Sequence, residues 1–77
     1  MYQHNEQQPI NWKQGKERFG RIRRNQVWQK RDTGKKMTII GTTKNNGWRV
    51  LFEGDSRGMR CHTIKEHDIY RFYLLLD

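Results

Sequence analysis

Apolar and polar residues alternate in short runs along the C-terminal two thirds of the chain, and turn residues separate the runs. The first run, QVWQKRD, begins at Gln26, and an Asp-Thr-Gly turn separates it from a second run, KKMTIIGTT, whose alternation breaks at Ile40. The Asn-Asn-Gly sequence at residues 45–47 predicts a hairpin turn, because asparagine and glycine tolerate the positive φ angles of tight turns. Strands this short and this closely spaced predict a small, mainly β domain.

The strand predicted after this turn, WRVLF, is the most regular of the set. Its alternation places Trp48, Val50 and Phe52 on one face, which we expect to contact the core. A second turn is predicted over residues 54–58, followed by the alternating run MRCHTI. The chain has one cysteine, Cys61, so no internal disulfide can form, and we expect this small side chain to be buried.

The C-terminal segment fits two descriptions. Thr63 and Glu66 have the spacing of a helix capping box. Helical spacing also relates four apolar residues: Ile69, Phe72, Tyr73 and Leu76. The terminal Tyr-Leu-Leu-Leu also has the composition of a buried strand. We expect a short helical turn over residues 65–72 and then a final strand, which would close a barrel of about five strands. The alternative is an α+β fold, an antiparallel sheet covered by a C-terminal helix.

The N-terminal third lacks these strand signals. The segment Met1–Asn11 is polar and rich in glutamine, which predicts a disordered leader. Gly15 and Gly20 each cost about 1 kcal/mol relative to alanine inside a helix. We therefore expect an extended or loosely turning segment here, so that residues 1–24 form a flexible basic arm and residues 25–77 form the small β-barrel domain.

The predicted elements follow in the order of a first strand with QVW, an NNGW hairpin leading into WRVLF, and HTIKEHDIYRFYLLL as strand, helical turn and final strand. This order resembles that of small SH3-like β-barrel proteins of the bacteriophage or prophage type. It covers about residues 26–77 and leaves the arm unmatched. The resemblance implies an SH3-like barrel. It carries little information about activity, because barrels of this kind bind DNA, RNA, peptides or other copies of themselves.

Positive charge is concentrated at one end of the chain. Ten of the sixteen lysines and arginines lie in the first 36 residues with only three acids, so this stretch carries +7 of the formal net charge of +8. Cations that face phosphates gain free energy by releasing condensed counterions. A basic segment joined to a small aromatic-rich β domain therefore predicts a non-catalytic nucleic-acid-binding module, and the partner can be DNA, RNA or a nucleoprotein complex.

The residues expected to bind nucleic acid form two groups of cations and one pair of aromatic rings. The aromatic rings, which we expect to stack on unpaired bases, are Trp12 and Phe19. The cations of the arm are Lys13, Lys16, Arg18, Arg21, Arg23 and Arg24. The cations of the first hairpin are Lys30, Arg31, Lys35 and Lys36. Trp28 and Trp48 fit either a core or a stacking surface, and the sequence leaves both possibilities open.

The second function hypothesis is a protein-binding module, such as a phage-type inhibitor or adaptor that acts on a host protein or a nucleoprotein complex. In that case the basic arm would become ordered on an acidic groove of the partner, where arginine and tryptophan often dominate the binding energy. A protein of this type would act in the cytoplasm of the host cell.

Catalysis, a bound metal and a membrane span are not expected. His62 and His67 lie five residues apart beside Cys61, which matches no zinc-finger or zinc-ribbon spacing. No phosphate-binding glycine loop and no nucleophile with an orienting base is present, so we expect neither an enzyme nor a cofactor. The chain begins without an apolar signal core, and its longest apolar run covers residues 73–76, so we expect a cytoplasmic protein.

Overall fold

The computed structural model describes residues 8–54 and 61–77. Within them lie two helices and five strands, in the order α1 (Trp12–Phe19), β1 (Val27–Lys30), β2 (Lys36–Thr42), β3 (Gly47–Phe52), β4 (His62–Lys65), α2 (Glu66–Phe72) and β5 (Tyr73–Leu75). The leader predicted over Met1–Asn11 falls mostly outside the described residues, as does most of the turn predicted over residues 54–58.

The five strands form one antiparallel sheet in the order β4-β3-β2-β1-β5. The fold is therefore mostly β, as predicted, with two helices. The described strands do not close into the predicted barrel, because β4 and β5 are the two edges of an open sheet. Both edge strands are short, with four and three residues, and α2 connects them across the opening.

The core lies between the sheet and the two helices. Trp28, Met37 and Ile39 from the sheet are almost fully buried, as are Ile69 and Tyr70 from α2. Val50 is fully buried as the alternation of β3 predicts, whereas Trp48 and Phe52 are half-buried and pack against the edge of the core. The break in alternation at Ile40 coincides with a shift in register between Ile39 and Gly41. Cys61 is exposed, so its predicted burial is wrong.

The hairpin and the C-terminal segment follow the sequence closely. Thr43 donates its backbone N–H to the carbonyl of Gly47 at 3.0 Å, and Asn46 has a φ of 55° in the turn between them. The predicted helical turn and final strand are both present as α2 and β5. The predicted capping box is wrong: Lys65 is the N-cap without a side-chain hydrogen bond, and the backbone N–H of Glu66 instead donates to Asn46 at 3.0 Å.

The extended arm predicted around Gly15 and Gly20 is wrong, because residues 12–19 form α1. The side chain of Asn11 caps this helix by accepting the backbone N–H of Lys13 at 2.8 Å, and Gly20 ends it with a φ of 77°. Gly15 is buried against α2, where an added Cβ would lie 2.6 Å from the carbonyl oxygen of Tyr70. The glycine that argued against a helix is therefore the residue that allows the two helices to pack closely.

Candidate functional site

Six of the predicted cations lie on one continuous segment that includes α1 and the loop after it. All six are exposed, and we call them the helix–loop cations: Lys13, Lys16 and Arg18 on α1, and Arg21, Arg23 and Arg24 in the loop. Glu17 is the only acid between residues 12 and 24. The segment is therefore a strongly positive surface with a defined backbone conformation.

The loop is held in place by buried and hydrogen-bonded residues that alternate with its arginines. Ile22 is 5% exposed and belongs to the core, so Arg21 and Arg23 are the exposed neighbours of an anchored residue. The backbone N–H of Asn25 donates to the carbonyl of Ile39 at 2.7 Å, which attaches the end of the loop to β2. The sequence signal for this anchor is the single apolar residue, Ile22, between two arginines.

The side chain of Gln26 connects this loop to the core. Its Oε1 accepts the backbone N–H of Arg23 at 2.8 Å and the indole Nε1–H of Trp28 at 3.1 Å. Its Nε2 donates to the carbonyl of Arg21 at 3.3 Å. Because Trp28 is fully buried, one carboxamide fixes the backbone of both arginines relative to the core.

A cleft lies where the loop meets β3 and α2. It has a volume of about 440 Å³. We call it the cation cleft, and the residues that line it are Lys16, Arg21, Ile22, Arg23, Trp48, Glu66 and Tyr70. Among the described residues, Lys16, Arg21 and Arg23 form no ion pair. Three cations therefore line a concave site with one acid, Glu66, and one half-buried aromatic ring, Trp48.

Tyr70 lines the cation cleft and is almost fully buried. Its hydroxyl donates to the carbonyl of Gly20 at 2.7 Å, so α2 also holds the start of the loop. Burial raises the pKa of Tyr70 above its ordinary value of 10.0, and the charge of Glu66 raises it further. A backbone hydrogen bond at Ile22 and the charge of Arg21 act in the opposite direction. The phenol is therefore protonated at neutral pH and able to donate this hydrogen bond.

The cations of the first hairpin have neighbours of their own. Lys30 Nζ lies 4.0 Å from Asp32 Oδ1, and Lys35 Nζ lies 5.3 Å from the ring centroid of Phe52. Lys36 is exposed. Arg31 is 5% exposed, so its predicted place on a phosphate-binding surface is wrong. We call the remaining three residues, Lys30, Lys35 and Lys36, the hairpin cations.

The helix–loop cations and the hairpin cations do not converge on one cleft. Trp48, at the start of β3, lines the cation cleft, whereas Phe52, at the end of the same strand, contacts Lys35. Four residue steps along the strand separate the two positions by about 13 Å. Of the predicted cations, the structure brings Lys16, Arg21 and Arg23 together and places the hairpin cations toward the other end of β3.

The two aromatic residues predicted to stack on bases make contacts within the fold instead. Trp12 stacks on His67 with ring centroids 4.2 Å apart, and Phe19 contacts the edge of Trp28 at 5.4 Å. Both are half-buried and pack against the core. Lys13 Nζ lies 5.8 Å from the ring centroid of Trp12, and Arg18 Cζ lies 5.0 Å from that of Phe19. Trp48 is the half-buried aromatic residue that lines the cation cleft. Its position in an alternating strand also fits a core, so the sequence pattern leaves its role open.

Comparisons with protein-family models, curated proteins and solved structures found no match, so the geometry alone carries the functional argument. Across residues 8–54 and 61–77, no group of three or more histidine, cysteine, aspartate or glutamate side chains is placed to hold a metal ion. No helix in this part of the chain is long and apolar enough to cross a membrane.

Proposed function

We propose that this protein is a non-catalytic nucleic-acid-binding module that contacts the phosphate backbone through its helix–loop cations. The observation that carries the proposal is the attachment of these cations to the core. Ile22 and Gln26 hold the loop, and three of the six cations line one cleft. The hairpin cations supply further contacts at a distance, and Arg31 makes none because it is buried.

Physical chemistry favours a polyanion as the partner. Each phosphate neutralised by a lysine or arginine releases counterions, so affinity depends steeply on salt concentration. A disordered arm would lose conformational entropy on binding, whereas an anchored loop has lost it during folding. The anchored loop therefore favours binding by lowering this cost.

We also propose that the fold is of the SH3-like type. The succession of β4, α2 and β5 at the C-terminus supports this assignment, because the resemblance implies a strand, a helical turn and a final strand in that order. The open sheet differs from a closed barrel at the gap between β4 and β5. This assignment concerns the fold and adds nothing to the functional argument.

The test is a titration of single-stranded and double-stranded DNA and RNA at two salt concentrations. The variant Arg21→Ala/Arg23→Ala/Arg24→Ala should bind at least tenfold more weakly at low salt, because it removes up to three cations that neutralise phosphates. A matched control is Lys44→Ala/Arg49→Ala/Arg71→Ala, which also removes three exposed positive charges but none from the loop. The control should retain most of the affinity.

Equal decreases in affinity for the two variants would contradict the proposal, since net charge alone would then explain binding. If the wild-type protein binds neither DNA nor RNA at low salt, the proposal fails outright. Retention of a protein partner under those conditions would favour the second hypothesis, an inhibitor or adaptor of a host protein.

A further inference from the structure

The three tryptophans have different surroundings, and one of them lies beside the helix–loop cations. Trp28 is fully buried, and Trp12 has His67 stacked against its ring. Trp48 is half-buried and lines the cation cleft. Among the described residues, no other aromatic ring stacks on Trp48. An aromatic face beside three cations is the combination that binds a base together with its phosphate.

The acid in the cleft narrows the class of ligand. Glu66 lines the cation cleft and would repel a ligand that carried only phosphate groups. A carboxylate accepts hydrogen bonds from exocyclic amino groups of bases, as glutamate and aspartate do with the amino group of cytosine. A ligand with a phosphate at one end and an amino-bearing base at the other matches both Glu66 and the cations.

We propose that the cation cleft holds one unpaired nucleotide of a single-stranded nucleic acid. Its phosphate lies against Lys16, Arg21 and Arg23, and its base stacks on Trp48 within reach of Glu66. This inference rests on the proposed nucleic-acid function. The volume of about 440 Å³ lies within the range of small-ligand pockets, about 300–1,000 Å³. A paired base does not fit this role, since both of its faces are covered within a duplex.

A strand is favoured over a free nucleotide because positive charge continues beyond the cleft. Lys13, Arg18 and Arg24 are exposed on the same segment but do not line the cleft. A bound strand that continues past the cleft would bring its neighbouring phosphates to these cations. A free mononucleotide would leave these cations without a phosphate and should bind much more weakly.

The experiment compares three probes by fluorescence anisotropy. They are a labelled DNA strand of about 12 nucleotides, within the usual site sizes of small single-strand-binding domains, an abasic strand of the same length, and a duplex of the same sequence. The variant Trp48→Leu should lower affinity for the base-containing strand about tenfold, equivalent to about 1.4 kcal/mol. Affinity for the abasic strand and the duplex should be unchanged.

Two further variants separate stacking from folding. Phe72→Leu removes a half-buried aromatic ring outside the cation cleft and should leave affinity for all three probes unchanged. Trp48→Phe keeps an aromatic face and should retain most of the affinity for the base-containing strand. Melting temperatures from circular dichroism should show both Trp48 variants folded at the assay temperature. If Trp48→Leu is unfolded, the wild-type protein itself provides the test: it should bind the base-containing strand more tightly than the abasic strand, and equal affinities would overturn base stacking.

The possible failures are distinguishable. If Trp48→Leu weakens all three probes equally, base stacking is wrong while nucleic-acid binding stands. If the wild-type protein binds none of the probes, the proposed function fails with it. If adenosine monophosphate competes as tightly as the strand does, the cleft is a small-molecule site and the single-strand proposal is overturned.

Discussion

The helix–loop segment and the first hairpin are both rich in cations, yet their cations have different surroundings in the fold. In the helix–loop segment, Gly15, Ile22 and Gln26 make the contacts with the core, and the cations between them point outward. In the hairpin, Arg31 is itself buried and Lys30 lies next to Asp32. Similar charge in sequence therefore gives two different surfaces. The cation cleft contains three cations and one acid. The cleft beside the hairpin, of about 590 Å³, contains two lysines and two aspartates, so its charges are balanced.

The largest expected effect comes from disrupting the contact between α1 and α2. We expect Gly15→Leu to lower the free energy of unfolding by at least about 2 kcal/mol. The new side chain overlaps the backbone of Tyr70, at a cost of about 3 kcal/mol or more, and the gain in helix propensity of about 1 kcal/mol offsets only part of it. Urea denaturation followed by circular dichroism measures the change.

The control for this substitution is Gln14→Leu, which adds the same side chain at an exposed position of the same helix. It should change stability by less than about 0.5 kcal/mol. If both variants were equally stable, α1 would not pack on α2 through Gly15, and the distinction between an anchored segment and a free arm would disappear.

A smaller effect is expected from Gln26→Ala. The indole N–H of Trp28 and the backbone N–H of Arg23 would lose their acceptor, at a cost of about 1 kcal/mol in this partly buried position. Binding to nucleic acid should also weaken, because Arg21 and Arg23 would no longer be held. Titration of the variant against a single strand checks this, and Gln14→Ala is the exposed control.

If Gln26→Ala lost stability but kept its affinity for nucleic acid, binding would not depend on the anchoring of the loop. The hairpin cations should be unaffected by this substitution, since none of the three side-chain hydrogen bonds of Gln26 involves Lys30, Lys35 or Lys36.

The smallest expected effect is a loss of stability at alkaline pH. Burial raises the pKa of Tyr70 and of Tyr73 above the ordinary value of 10.0. Both pKa values are higher in the folded state than in the unfolded state. The contribution of each tyrosine to stability is therefore fully present below pH 10.0, and it is lost as the pH rises through the folded-state pKa. Urea denaturation across this range measures the loss.

Tyr73→Phe should reduce the alkaline loss, since that ring no longer ionises. The charges of Asp32 and Asp68 add to the rise at Tyr73, whereas the charge of Arg21 opposes the rise at Tyr70. A stability that increased above pH 10.0 would contradict the direction of both shifts.

Local patterns predicted most of the sheet and the C-terminal segment. Alternation identified β3, the asparagine at position 46 marked the turn before it, and helical spacing identified α2. These features depend on residues that are close in sequence. Closure of the barrel depends on whether β4 and β5 meet, and no local pattern in the sequence decides that.

The role of Gly15 could not be predicted, because its meaning depends on Tyr70, which is distant in sequence. Helix propensity describes an isolated helix, and here the close packing of α1 against α2 outweighs the cost of a glycine inside α1. The burial of Arg31 was not predicted for the same reason. Arginine side chains are mostly exposed, and only the folded structure shows that this one is buried.

The candidate site was predicted in part. Composition identified the basic segment, and the structure leaves its six cations exposed. Trp12 and Phe19 were chosen because they lie among charges in sequence, but the folded helix directs them to His67 and Trp28. Trp48 joins the cation cleft only through folding, because it lies on a different strand from the cations beside it.

The most direct test of the central claim is the salt dependence of binding to one single strand, measured in parallel for two variants. One is Arg21→Ala/Arg23→Ala/Arg24→Ala, and the other is Lys30→Ala/Lys35→Ala/Lys36→Ala. The slope of log affinity against log salt should fall by about 0.7 for each phosphate that a variant no longer neutralises. We predict a clearly larger fall for the loop variant than for the hairpin variant. Equal falls, or a larger fall for the hairpin variant, would contradict the account.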